Sequence, residues 1–145
     1  MPSLASQLTP SDVERAKSWI QEMYQMADSK NVGMVPKFIQ EEATLNFSQT
    51  APLKGRAALE RLFTWEYGAC ANIIHRIHDV QISYNHIRVQ VSATYWFKNG
   101  AQRSMEYLAV WHKTPQERRA SRVDLDGDFM GIFQELTSFG GPPPL

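Results

Sequence analysis

The sequence predicts an α+β domain in which N-terminal helices pack on one face of an antiparallel sheet. Three observations carry this reading. Helix-period apolar patterning dominates the first half of the chain, between Thr9 and Gly68. Period-two alternation dominates the second half. At its centre, His86 to His112 forms two long alternating runs around Asn99-Gly100, a pair that tolerates positive φ and suits a tight primed hairpin turn.

Thr9-Pro10-Ser11-Asp12 is a helix start, with a Thr cap, Pro at the first helical position and an acid placed to complete the cap. The helix should run to about Asp28, with Val13, Ala16, Ile20, Met23 and Ala27 on its apolar face. A short helix is expected over 35–40, a brief strand over 42–48 and a loop over 51–55. A third helix begins at Arg56 and ends near Gly68; Leu59, Leu62, Phe63 and Glu66, with Trp65 beside them, make its inner face. A meander follows: a strand over 73–83, the central hairpin, a polar connection over 114–119 and a last strand over 121–125. Phe129 to Leu136 then forms a short amphipathic helix, which Gly140 to Pro144 cannot extend. One domain over 1–136 and a Gly/Pro-rich tail over 137–145 are expected; the tail either covers a pocket mouth or is disordered.

Composition excludes several function classes. Fifteen basic and fifteen acidic residues cancel, so the basic footprint of a nucleic-acid binder and a polybasic membrane patch are both missing. The single cysteine, Cys70, permits neither an internal disulfide nor a cysteine-based zinc site. No apolar run approaches the ~20 residues of a membrane span, and the first thirty residues lack the continuous apolar core of a signal peptide. A soluble, cytoplasmic protein that binds neither nucleic acid nor membrane is the expectation.

On the first hairpin strand Ile87, Val89, Val91, Ala93, Tyr95 and Phe97 share one side, and Arg88, Gln90, Ser92, Thr94 and Trp96 the other. The second side carries hydroxyls, an amide and a Trp rather than the charges usual on a wet face. It suits the wall of a semi-polar cavity, with an ordinary exposed sheet face as the alternative.

The element order resembles the nuclear transport factor 2-like fold, and more closely its SnoaL-like polyketide cyclase branch. The residues that carry the resemblance are Phe38-Ile39-Gln40-Glu41-Glu42-Ala43-Thr44, Pro52-Leu53-Lys54-Gly55-Arg56-Ala57-Ala58-Leu59, His75 at the head of the meander, and Arg122-Val123-Asp124-Leu125-Asp126. The resemblance implies a cone of helices on a strongly curved sheet around a deep apolar pocket. It also implies acid-base chemistry without metal or cofactor, as in the family's cyclases, dehydratases and isomerases; other members only bind partners, so fold alone does not fix function. The family's epoxide hydrolases use an Asp-Arg-Asp set where this chain has Gln90, Ser92 and Val123, which argues against their mechanism. Family cyclases often use an acid near the last strand, which makes Asp124 a candidate, although alternation turns Val123 and Leu125 inward instead.

His75 is the leading candidate for a catalytic base, because a neutral imidazole accepts a proton near pH 7 and its register with Ile73 and Ile77 directs it inward. A structural histidine held by a carbonyl is the competing reading. His78 falls on the opposite face, so the two do not form a metal pair. Tyr107 is the candidate electrophilic donor, since a phenol in an apolar pocket can polarise a carbonyl; the alternative is a core tyrosine. Gln90, Ser92 and Thr94 would orient a ligand, and Trp19, Met23, Tyr24, Phe47, Trp65 and Met105 would supply apolar lining, unless they are plain core. Glu42 is read as structural, pairing with Arg56 or Arg61. The expected activity is cyclisation, isomerisation or dehydration of a hydrophobic oxygenated metabolite; the alternative is a non-catalytic binding or dimerisation module. A homodimer is expected through the sheet, with Tyr95, Phe97, Leu108 and Val110 turned away from the helices.

Overall fold

The computed structural model describes residues 7–48 and 50–145. Residues 1–6, counted above in the domain and in the reading of the N-terminus, lie outside them.

Helix α1 (Pro10–Asp28) starts on the predicted cap: Thr9 Oγ1 accepts from the Asp12 amide at 3.0 Å and the Asp12 carboxylate accepts from the Thr9 amide at 3.0 Å. These bonds, the Thr9 backbone one first, hold the Asp12 carboxyl below its usual range. Ala16, Ile20, Met23, Tyr24 and Ala27 are its buried apolar face. A short α2 (Met34–Phe38) leads directly into β1 (Ile39–Phe47), which begins three residues earlier than the sequence suggests. The 51–55 loop contains a two-residue strand, β2 (Leu53–Lys54), paired antiparallel with β1. Then come α3 (Arg56–Ala69), β3 (Cys70–Ile82), β4 (Ile87–Phe97), β5 (Gln102–His112), β6 (Ala120–Asp126) and α4 (Met130–Gly140). Helix α4 runs four residues past the point where the tail was expected to begin. Arg56 donates to the Ile39 carbonyl, at 2.9 Å through its terminal nitrogen, rather than to Glu42.

The strands form one six-stranded sheet in the order β2-β1-β6-β5-β4-β3. The antiparallel expectation needs correction here, because β1 runs parallel to β6. The sheet is mixed, curved and unclosed. Register irregularities in β1 and two in β3 bend it. The β3 shift between Ile77 and Asp79 also changes the phase of alternation, so that Ile73, His75 and Ile77 before it, and Val80 and Ile82 after it, meet the inner face. The hairpin turn differs from the expected primed pair as well. Gly100 has φ 84°, Asn99 does not enter the left-handed region, and Phe97 N–H donates to the Ala101 carbonyl across a three-residue loop.

Helices α1, α3 and α4 cover the concave face, where Val89, Val91 and Ala93 are fully buried. Tyr95 and Phe97 also point inward, Phe97 stacking on Phe139 of α4 with ring centroids 5.7 Å apart. They belong to the core, not to an exposed dimer face as expected; the outer face carries Trp96, Leu108 and Val110, all half-buried, and Ile74, which is exposed. Among the described residues, no helix is long and apolar enough to cross a membrane.

Gly127 lets the chain leave β6 close over β5. A Cβ there would sit 2.8 Å from the Tyr107 Cβ and 3.1 Å from the Glu106 carbonyl oxygen. Gly127→Ala is expected to destabilise the protein by about 1–3 kcal/mol through overpacking, read by urea denaturation; an unchanged midpoint would show that the β6–α4 connection yields freely.

Candidate active site

The helices and the curved sheet leave a cavity with about 60 Å³ of space for the centres of water molecules. Its wall is largely aromatic and aliphatic, from α1 (Met23, Tyr24), β1 (Leu45, Phe47), β5 (Tyr107, Trp111), β6 (Val123, Leu125) and the α4 region (Phe129, Phe133). Three groups able to exchange protons break this apolar surface: Glu66, His75 and a set of phenols.

His75 stands on β3 opposite Ala93, and its side chain is 8 % exposed. Asp28, the last residue of α1, holds it twice: one carboxylate oxygen accepts from the His75 backbone N–H at 2.8 Å and lies 2.7 Å from Nδ1. A carboxylate at that distance places the ring proton on Nδ1, which leaves the Nε2 lone pair available to a ligand. Asp28 was not singled out in the sequence. The hint was its position, since an acid in the last turn of a helix opposes the macrodipole and needs another partner.

Glu66 projects from α3, is half-buried and lines the cavity. It accepts a hydrogen bond from the Tyr95 hydroxyl at 3.0 Å. Burial pushes its carboxyl above the usual range, outweighing the opposing effects of nearby His75 and of Tyr95. The sequence pattern puts Glu66 on the apolar face of α3, and a carboxylate inside an apolar stripe is the available signal of its role. Burial likewise raises Tyr107 and Tyr95 well above 10 and Tyr24 to about 12, so all three phenols keep their protons at neutral pH.

The structure brings together His75, Tyr107, Met23, Tyr24 and Phe47 around the cavity. The other expected site residues lie elsewhere. Gln90, Ser92 and Thr94 occupy the outer face of β4 and bond within the sheet: Gln90 to the Tyr107 carbonyl at 3.3 Å, Ser92 to His78, Thr94 to Ser104 at 2.9 Å. The cavity wall is the apolar side of that strand, because the helices cover the side with the greater apolar area. Asp124 also faces outward, accepting from Asn46 at 2.7 Å and Arg122 at 2.9 Å and lying 2.8 Å from His112 Nε2. Partial burial raises its carboxyl, but these bonds outweigh it and hold the group below its usual range. Trp19 packs behind Trp111 and donates to the Arg118 carbonyl at 2.9 Å. Trp65 lies one ring behind Phe133 and donates to the Gly141 carbonyl at 3.0 Å, tying the tail to α3. Met105 sits beside Gly127, outside the lining.

An acid whose folded pKa exceeds its unfolded one loses its stabilising contribution as pH rises through the raised value. Gln cannot ionise and still accepts from Tyr95. Glu66→Gln should therefore gain stability relative to the unsubstituted protein as pH rises above the ordinary glutamate value of about 4, measured by denaturant unfolding at several pH values; a difference independent of pH would contradict this account of Glu66.

The sequence matches no protein-family model and no curated protein. Solved structures do match. A candidate SnoaL-like polyketide cyclase from Jannaschia sp. CCS1 is 10 % identical and covers 99 % of each chain at a TM-score of 0.67. A candidate polyketide cyclase from Xanthomonas campestris pv. campestris is 13 % identical over 86 % of this chain and 98 % of its own, at 0.67. A candidate aromatic ring hydroxylase from Novosphingobium aromaticivorans is 16 % identical over 90 % and 99 %, at 0.72. The chain therefore has the nuclear transport factor 2-like fold that its ordered residue set resembles, a fold shared with solved structures described as candidate polyketide cyclases, one of them SnoaL-like.

Proposed function

We propose that the protein is a cofactor-independent enzyme that moves a proton on a hydrophobic, oxygenated small molecule, by isomerisation, cyclisation or dehydration. The observation that carries this reading is the pairing of an Asp28-oriented histidine with a half-buried carboxyl in one apolar cavity. His75 Nε2 is the base, Asp28 positions it, and Glu66, biased toward its protonated form, is the acid that returns a proton. Tyr107 donates to the oxygen on which charge develops. Low dielectric inside the cavity strengthens each of these interactions. A purely binding module has no use for a carboxyl and an oriented imidazole lining the same small cavity, and the cavity is not filled by the large side chains around it.

Incubating the protein with a metabolite extract from a source strain lacking it, followed by chromatography with mass detection, tests the reading. A product of unchanged mass means isomerase or cyclase, and loss of water means dehydratase. His75→Ala and Glu66→Gln should each lower turnover on the order of a hundredfold or more, and Tyr107→Phe by a comparable factor. Turnover within a few-fold of the unsubstituted protein for all three would defeat the assignment.

The homodimer is likewise a proposal. It rests on the apolar residues of the outer sheet face, Ile74, Trp96, Leu108 and Val110. Sedimentation at micromolar concentration should give a dimer that Leu108→Glu dissociates; a monomer before substitution would remove the proposal.

A further inference from the structure

The outer face of the sheet carries a second arrangement of histidines, which the cavity does not use. His86 directly precedes β4 and His112 ends β5. Ile87 pairs with Trp111 and both are buried beneath the helices, so the next rung sets His86 and His112 opposite one another on the outer side. Their rings are half-buried, tilted by 41° and 6.3 Å apart between centroids. Each ring is held through one nitrogen. His112 Nε2–H donates to Asp124 at 2.8 Å, and the other oxygen of that carboxylate is taken by Asn46 and Arg122. His86 Nδ1–H donates to the Asn85 side-chain oxygen at 2.8 Å, while Ser83 N–H donates to the His86 carbonyl at 2.9 Å and fixes the turn. These bonds place a proton on one nitrogen of each ring and leave a lone pair on the other, at His86 Nε2 and His112 Nδ1. Neither of those two nitrogens has a partner among the described residues.

We propose that His86 and His112 form a two-histidine chelate for a borderline divalent transition-metal ion such as zinc, nickel or copper, on the sheet face opposite the cavity. A ligating histidine characteristically donates its second ring N–H to a carboxylate or carbonyl oxygen, which fixes the ring and raises its basicity. Both rings already have that support, from Asn85 and Asp124. With metal–nitrogen bonds of about 2.0–2.1 Å, two imidazoles on one ion have ring centroids about 5–6.5 Å apart, and the observed 6.3 Å lies within that range. The donor set selects the ion. Asp124, the carboxylate beside the pair, has both oxygens engaged, so calcium and magnesium find none of the oxygen ligands they require. Imidazole nitrogen suits zinc, nickel and copper instead. Charge beside the pair nearly cancels, with Arg122 bonded to Asp124 at 2.9 Å, so lone pairs rather than net charge hold the ion. Among the described residues no third His, Cys, Asp or Glu completes the group, so water fills the remaining positions. An ion there ties the start of β4 to the end of β5. The site is independent of the reading of the cavity.

Calorimetric titration of the untagged full chain with zinc chloride at neutral pH should give one ion per chain, which neither calcium nor magnesium displaces. Asp124→Asn should weaken zinc by roughly tenfold to a hundredfold, the usual cost of losing the support behind a ligand, and His86→Ala or His112→Ala by at least as much. His78→Ala, which removes an outer-face histidine outside the pair, should leave the affinity unchanged. In nitrogen-15 spectra of the imidazoles, zinc should shift His86 Nε2 and His112 Nδ1 while the other nitrogen of each ring keeps its hydrogen; this readout needs no substitution and a merely structural pair would not give it. No zinc binding at millimolar concentration, one ion shared by two chains, an affinity indifferent to either histidine substitution, or ligation through His112 Nε2 each overturns the proposal.

Discussion

The rest of the structure depends on covering the concave face of β4 and β5. Val89, Val91, Ala93 and Ala109 have no exposed surface, and Ile87, Tyr95, Phe97, Tyr107 and Trp111 retain only a few per cent. At roughly 25 cal/mol for each Å² of apolar surface removed from water, leaving such a face wet would cost far more than the few kcal/mol by which a domain of this size is stable. Three helices must therefore close over it. A curved sheet covered by straight rods cannot be filled everywhere, and large rings spanning the gap leave the cavity between them. The cavity follows from the curvature, and the curvature from the bulges in β1 and β3.

Local periodicity made most of this legible. The α1 cap, the apolar stripes of α1 and α3 and the two long hairpin strands all emerge from spacing within about ten residues, where side chains that share a face also share a chemistry. What escaped was non-local. Nothing within β1 announces that it runs parallel to β6, nor that Leu53–Lys54 is a strand, because both depend on partners distant in sequence or on a pairing only two residues long. The Asn99-Gly100 turn was misjudged for a smaller reason: one left-handed glycine after an ordinary turn serves the hairpin as well as two left-handed residues do.

The site was legible in part, and the errors share a cause. Gln90, Ser92 and Thr94 looked like cavity polarity because they are uncharged, yet small hydroxyls and amides also satisfy one another across an outer sheet face, and here they do so with His78, Ser104 and a backbone carbonyl. Alternation tells which residues share a side. It does not tell which side faces the helices when neither is charged. His75 and Tyr107 reach the cavity because the register that placed them was tied to the apolar side. Asp28 and Glu66 went unread because each is a local irregularity, an acid at the wrong end of one helix and a carboxyl in the apolar stripe of another, with a partner supplied only by the tertiary fold.

Those irregularities are where the argument for function is strongest. A sequence selected for stability alone would have no reason to keep a carboxyl beneath α3, since an apolar residue of similar size removes the desolvation penalty. That carboxyl works against the folded state on its own, and beside it the Asp28-bound His75 gives the cavity a second group able to take or give a proton. Local disagreement with an otherwise consistent fold is what a site that must meet a ligand, rather than itself, looks like.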